Sequence, residues 1–216
     1  MKNLLNLGLG FAVAAALATA SPIGTLTPGN PAVAPNAAVT APTATLVGST
    51  GLHAYTFTPP VPGATADIAG TYSESVFADT SNPFASGDDT FVLTFTVGAP
   101  YGGVERATIG GFAGLSVVAD YASPSVAGTA PTSVAESPAG VVSYNFAAIS
   151  QADTETLVIY TNYAGPVTMG YGLSLQNQYG INGVGLTPGP EPMSMSLLGG
   201  GLALLGALRL RTKKRS

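Results

Sequence analysis

The most regular stretch of the chain runs from Asp88 to Gly98, DDTFVLTFTVG. Phe91, Leu93, Phe95 and Val97 fall on one parity, and Thr90, Thr94 and Thr96 on the other. A period of two is the signature of a strand with one face on a core. The same alternation, less strict, recurs along the chain. In DIAGTYSESVFAD, Ile68, Tyr72 and Val76 oppose Thr71, Ser73 and Ser75. In TLVGST and LHAYTFT, Leu52 and Ala54 read as the apolar side, which turns His53 toward solvent. Further strands are expected at VERATIG, LSVVADY, VVSYNFA, TETLVIYTN, VTMGYGLSLQ and GINGVGL. Gly- and Pro-rich punctuation separates them, as in PPVPG at 59–63. No segment of the body shows helical periodicity. The pattern predicts an all-β fold: a single antiparallel β-sandwich over residues 44–188, jelly-roll-like or Ig-like.

Two stretches depart from this pattern, one at each end. At the front, Lys2 precedes an apolar run from Leu4 to Ala18. Ala18-Thr19-Ala20 then supplies the small-x-small site of a secretory signal, so residues 1–20 read as a signal peptide cut after Ala20. Its partners would be the Sec translocon and a signal peptidase. Residues 21–43, SPIGTLTPGNPAVAPNAAVTAPT, carry five prolines among Ala and Thr and read as an extended, poorly packed linker. At the back, residues 193–208 are free of charge, which suits a single transmembrane helix, and Arg209, Arg211, Lys213, Lys214 and Arg215 follow. Such a basic cluster resists translocation and marks the cytoplasmic side. Pro190-Glu191-Pro192 stands just before the helix. Two prolines prevent both helix and sheet pairing there and hold the segment extended.

Charge sharpens the picture. Between Lys2 and Arg209 the only basic residue is Arg106, while the same interval up to Gly189 holds ten acidic residues, so the body carries a charge near −9. A body of that sign repels nucleic acid and anionic lipid. Cysteine is absent, which excludes disulfides, thiolate chemistry and Cys-based metal sites.

Pro190-Glu191-Pro192, a Gly-containing apolar helix and a terminal Arg/Lys cluster, in that order, resemble the PEP-CTERM sorting domain of exported proteins in Gram-negative, exopolysaccharide-producing bacteria. The resemblance covers residues 189–216, with Met193-Ser194-Met195 filling the place of the usual aliphatic or Thr/Ser residue after the second proline. It implies an exosortase as processing partner, a transient inner-membrane anchor with the body in the periplasm, and delivery to the cell surface or extracellular matrix. VERATIGGFAGLSVVADY, VVSYNFAAI and TLVIYTNY are similar to arrangements found in bodies that carry this signal.

Candidate chemistry in the body is sparse. His53 is the only histidine, too little for a zinc site, and no Gly-x-Ser-x-Gly elbow offers it a nucleophile. Asp79, Asn82, Asp88 and Asp89 surround a turn and offer the oxygen ligands that Ca²⁺ takes, but not at EF-hand spacing; ordinary turn chemistry is the plainer account. Glu74 with Glu155, or Asp153 with Glu155, are the carboxylate pairs a glycosidase would need across a cleft. The plainer account makes them exposed charges that keep a low-charge sheet in solution. Nine tyrosines, Tyr55, Tyr72, Tyr144, Tyr160 and Tyr163 among them, are candidates for stacking on sugar. The expectation is a non-enzymatic exported protein, structural or adhesive in the exopolysaccharide layer, with no cofactor unless Ca²⁺. The alternative is a secreted carbohydrate-binding or carbohydrate-active module.

Overall fold

The computed structural model describes residues 24–35, 42, 44–58, 68–98, 103–122, 130–149, 153–177 and 180–189. These build eleven strands: β1 Thr45–Ser49, β2 His53–Phe57, β3 Ile68–Asp79, β4 Asp88–Val97, β5 Val104–Ile109, β6 Val117–Tyr121, β7 Ser133–Glu136, β8 Val142–Ile149, β9 Thr154–Thr161, β10 Val167–Gln176 and β11 Gly180–Pro188. They form two antiparallel sheets, ordered β1-β3-β4-β9-β6, with β2 also on β3, and β11-β10-β5-β8-β7. The expected signal peptide at 1–20 and the tail from 190 onward lie outside the described residues.

The inner faces of the two sheets share one core, the arrangement of a β-sandwich. Phe91, Leu93, Phe95 and Val97 of β4 are all buried there, as their alternation requires. Leu157 and Ile159 on β9, Ala107 and Ile109 on β5, Tyr144 and Phe146 on β8, and Leu173 and Leu175 on β10 complete it. Burial of each such large side chain contributes about 1.5–3 kcal/mol. Phe91 meets Phe112 edge to face at 5.2 Å, and Phe95 meets Phe146 at 6.1 Å. The Tyr144 hydroxyl crosses the core to donate to the carbonyl of Val158 at 2.9 Å, which satisfies its one buried polar atom. A smaller cluster of Val118, Val158 and Tyr160 lies apart from this core, with Phe84 of the β3–β4 turn packed on it.

Three features depart from the sequence reading. In β2 the faces are reversed: Tyr55 is buried and Leu52 is exposed, while His53 is half-buried, stacked on Tyr72 at 5.3 Å and bonded through Nε2 to the Thr50 carbonyl at 2.9 Å. Tyr55 and Phe57 share one side of β2, and turning them inward buries more apolar surface than Leu52 and Ala54 would. The second is β7, a short strand paired to β8 that the alternation did not announce. The third is the leader. Residues 24–35 are not a loose linker but a strap over the open side of the sandwich. Leu26 enters the core and its N–H donates to the Val117 carbonyl on β6 at 2.7 Å. Gly29 then donates to Glu136 of β7 at 2.8 Å, and Val33 exchanges both backbone bonds with Val134. The strap thus satisfies edge groups of both sheets, where an uncovered strand would invite pairing with other chains.

Candidate functional site

Ionisable groups in the body sit where an uncharged core would be expected. Glu74, Asp79, Asp89, Asp120, Glu136, Asp153 and Glu155 are all buried. The reading of Glu74, Asp153 and Glu155 as exposed solubilising charges is therefore corrected. Arg106 cannot neutralise them, since it is exposed and donates through Nε to Asn145 at 2.8 Å.

Glu74 is the clearest case. It shares the inward parity of Tyr72 and Val76 on β3. Its Oε2 accepts the backbone N–H of Leu186 at 2.7 Å, and the adjacent Tyr72 hydroxyl accepts the N–H of Val184 at 3.0 Å. Both donors belong to β11, the edge strand of the opposite sheet. Two side chains of one sheet therefore cap the free amides of the other. Glu74 Oε1 is buried with no hydrogen bond. Burial raises the Glu74 pKa to about 8, and the bond from Leu186 lowers it by less. At neutral pH the side chain is mostly the neutral acid. Glu136 follows the same logic: both carboxylate oxygens are buried without a hydrogen bond, and burial pushes its pKa up.

Glu74 and Glu155 do not flank a cleft. Register places Glu74 opposite Leu93, and Glu155 opposite Phe95, so β4 runs between them inside the core. Asp153 is buried at the start of β9, where its carbonyl accepts the N–H of Val97 at 3.0 Å. A glycosidase needs two carboxylates facing substrate. Neither pair lines either of two described clefts, one of about 510 Å³ between the strap and β7, the other of about 340 Å³ beside Gly189.

The β3–β4 turn carries Asp79, Asn82, Asp88 and Asp89, as the sequence spacing suggests, but the side-chain oxygens of Asp79 and Asn82 are engaged within it. Asp79 Oδ1 accepts from the N–H and hydroxyl of Ser81 at 2.8 and 2.7 Å, and Oδ2 from Thr90 at 3.1 Å. Asn82 Oδ1 accepts from Phe84 N–H at 3.0 Å. Its Nδ2 reaches the carbonyls of Asp89 and Thr161 and the hydroxyl of Thr90 at 3.2–3.3 Å. Asp89 Oδ2 accepts weakly from Gly165 N–H at 3.4 Å. Burial, opposed by that bond and aided by the neighbouring Asp88 charge, raises the Asp89 pKa to about 6. Among the described residues no group of three or more His, Cys, Asp or Glu side chains is placed to hold a metal.

The tyrosines are inside as well. Tyr55, Tyr72, Tyr144, Tyr160 and Tyr163 are buried, so these five offer no open platform for a sugar. Tyr163 has a different task, which sequence reasoning missed. Its hydroxyl is shared between the carbonyls of Pro166 at 2.9 Å and Gly189 at 3.1 Å, while Gly189 N–H donates to Pro166 at 2.7 Å. The chain is thus pinned to the sandwich up to Gly189. Pro190, Glu191, Pro192, the basic residues Arg209, Arg211, Lys213, Lys214 and Arg215, and the signal-cleavage residues Ala18 and Ala20 all lie outside the described residues.

Set against known protein families, curated proteins and solved structures, the chain matches none of them.

Proposed function

We propose that this chain is an exported, non-enzymatic protein of the cell surface or extracellular matrix, structural or adhesive in an exopolysaccharide layer. A secretory signal at 1–20 starts its export. The apolar segment 193–208 and its basic cluster hold it in the inner membrane until an exosortase-like enzyme acts near Pro190-Glu191-Pro192. The observation that carries the reading is the junction. Tyr163 and Pro166 fasten the last strand up to Gly189, and the stiff Pro-Glu-Pro segment begins at the next residue. The motif therefore begins one residue beyond the last described hydrogen bonds of the sandwich. The non-enzymatic part draws support from Glu74, Asp153 and Glu155, which are buried and line neither cleft. The buried tyrosines count against the carbohydrate-binding alternative.

The test is mass spectrometry of the C-terminus in the form recovered from the cell exterior. The expected result is a chain that ends near residue 190, with Glu191→Gln retaining the tail in the membrane fraction. Surface material with peptides reaching Lys214 would overturn the reading.

A further inference from the structure

The topology gathers a particular set of groups at the end of the sandwich where the chain leaves. Val167 pairs with Pro188 there, Thr45 pairs with Ala78, and Val117 pairs with Thr161. The β3–β4 turn is fastened to the same end, since Asp89 N–H donates to the Tyr163 carbonyl at 2.6 Å. At Gly48 a side chain would run into Val167, so β1 of one sheet lies directly against the start of β10 of the other. Beside this contact are three large apolar side chains open to solvent: Leu46 at 55% exposure, Val47 at 40% and Met169 at 64%.

The length of chain beyond the structure says what faces them. Only Pro190, Glu191 and Pro192 separate Gly189 from the apolar segment that begins at Met193. Four extended steps span at most about 14 Å. A segment inserted in the bilayer therefore draws the exit end of the sandwich down to the membrane surface. This end suits contact with lipid that carries no net charge. Two of the three carboxylates in its turn, Asp79 and Asp89, are buried, and no described residue there is basic.

The geometry points to a docking face: while the protein is anchored, Leu46, Val47 and Met169 rest in the interfacial layer of a zwitterionic bilayer. This inference rests on the anchored stage of the proposed function. A second copy of the chain is the rival occupant, and two observations disfavour it. The β1 ladder is broken by a register shift at Val47, which blunts an edge against strand pairing. Met169 also belongs to the other sheet, so strand pairing along β1 would leave it bare.

The chain has no tryptophan, so single Trp probes report without background. Leu46→Trp, Met169→Trp and, as a control higher on the same edge, Leu52→Trp are made in the full chain and reconstituted into phosphatidylcholine vesicles with brominated acyl chains. All three sites are exposed, so the substitutions leave the core intact. Flotation establishes anchoring first. The expected result is co-flotation, with Trp at 46 and 169 losing most of its emission to bromine and Trp at 52 keeping its own. Co-flotation without quenching at 46 and 169 overturns the docking face alone. A concentration-dependent blue shift without quenching overturns it in favour of a second copy. Failure to float overturns the anchored reading, and this inference with it.

Discussion

Leu186 and Glu74 belong to different sheets, yet the backbone N–H of one donates to the carboxyl of the other at 2.7 Å. An edge amide that would face a missing strand is satisfied from across the core. The cost is a buried acid with a pKa near 8 against an ordinary 4.5. Between those values the unfolded chain has released its proton and the folded one has kept it. Stability from this group is thus full below pH 4.5 and is lost as pH rises through 8. The loss amounts to a few kcal/mol, at about 1.4 kcal/mol per pKa unit. Glu74→Gln keeps an oxygen for Leu186 and cannot ionise. Urea unfolding from pH 4 to 9 is expected to show the parent's midpoint falling with pH and the variant's falling much less. Equal slopes would remove Glu74 from the account.

Legibility of the fold followed the strictness of the alternation. β4 was readable because Phe91, Leu93, Phe95 and Val97 held one parity and Thr most of the other. The parity of β2 was not, because both of its faces carry apolar residues. β7 hid because its two inward positions are Val134 and Glu136, and an acid reads as outward-facing. Glu74 hid for the same reason, though its parity with Tyr72 and Val76 was already in the sequence. The turn at 79–89 was readable as an oxygen-rich loop, but the engagement of the Asp79 and Asn82 oxygens by Ser81, Thr90 and Phe84 was not. The pinning of Gly189 by Tyr163 depends on a long-range contact that no local pattern encodes.

The strap makes a second prediction. Its composition signals disorder, and its order comes from one buried leucine and a few edge hydrogen bonds. Leu26→Ala is expected to cost about 2–5 kcal/mol, as for other buried leucines. It should also loosen backbone bonds at Val117, Glu136 and Val134, raising hydrogen exchange in the strap amides of Leu26, Gly29 and Val33 while those of β4 stay protected. Unchanged exchange across the strap would mean that Leu26 does not hold it.

Asn82 tests the calcium reading of the β3–β4 turn. Its amide group joins the turn to β4 and to the end of β9. Asn82→Ala strips hydrogen bonds from buried carbonyls and is expected to cost about 2–4 kcal/mol. Because Asp79 and Asn82 are already engaged, millimolar Ca²⁺ should shift the melting temperature of neither parent nor variant. A Ca²⁺-dependent rise in the parent that Asn82→Ala abolishes would restore a cation site.

The last prediction concerns a glycine that the sheet cannot replace. Gly70 pairs with Tyr55, whose ring lies across it and whose hydroxyl donates to the Thr96 carbonyl at 3.1 Å. Burial holds this phenol above its usual range, so it stays a neutral donor. A Cβ at position 70 would meet both the Thr96 carbonyl and the Tyr55 ring. Gly70→Ala is expected to destabilise by about 1–3 kcal/mol through overpacking, and Tyr55→Phe by about 1 kcal/mol through the lost hydrogen bond. Tyr55→Ala frees the space that Gly70→Ala needs, but the Thr96 carbonyl stays in place. The double variant should therefore be less damaged than the sum of the two alanine changes, without returning to either one. Additivity in a double-mutant cycle by urea unfolding would show that the ring and the glycine do not act as a pair.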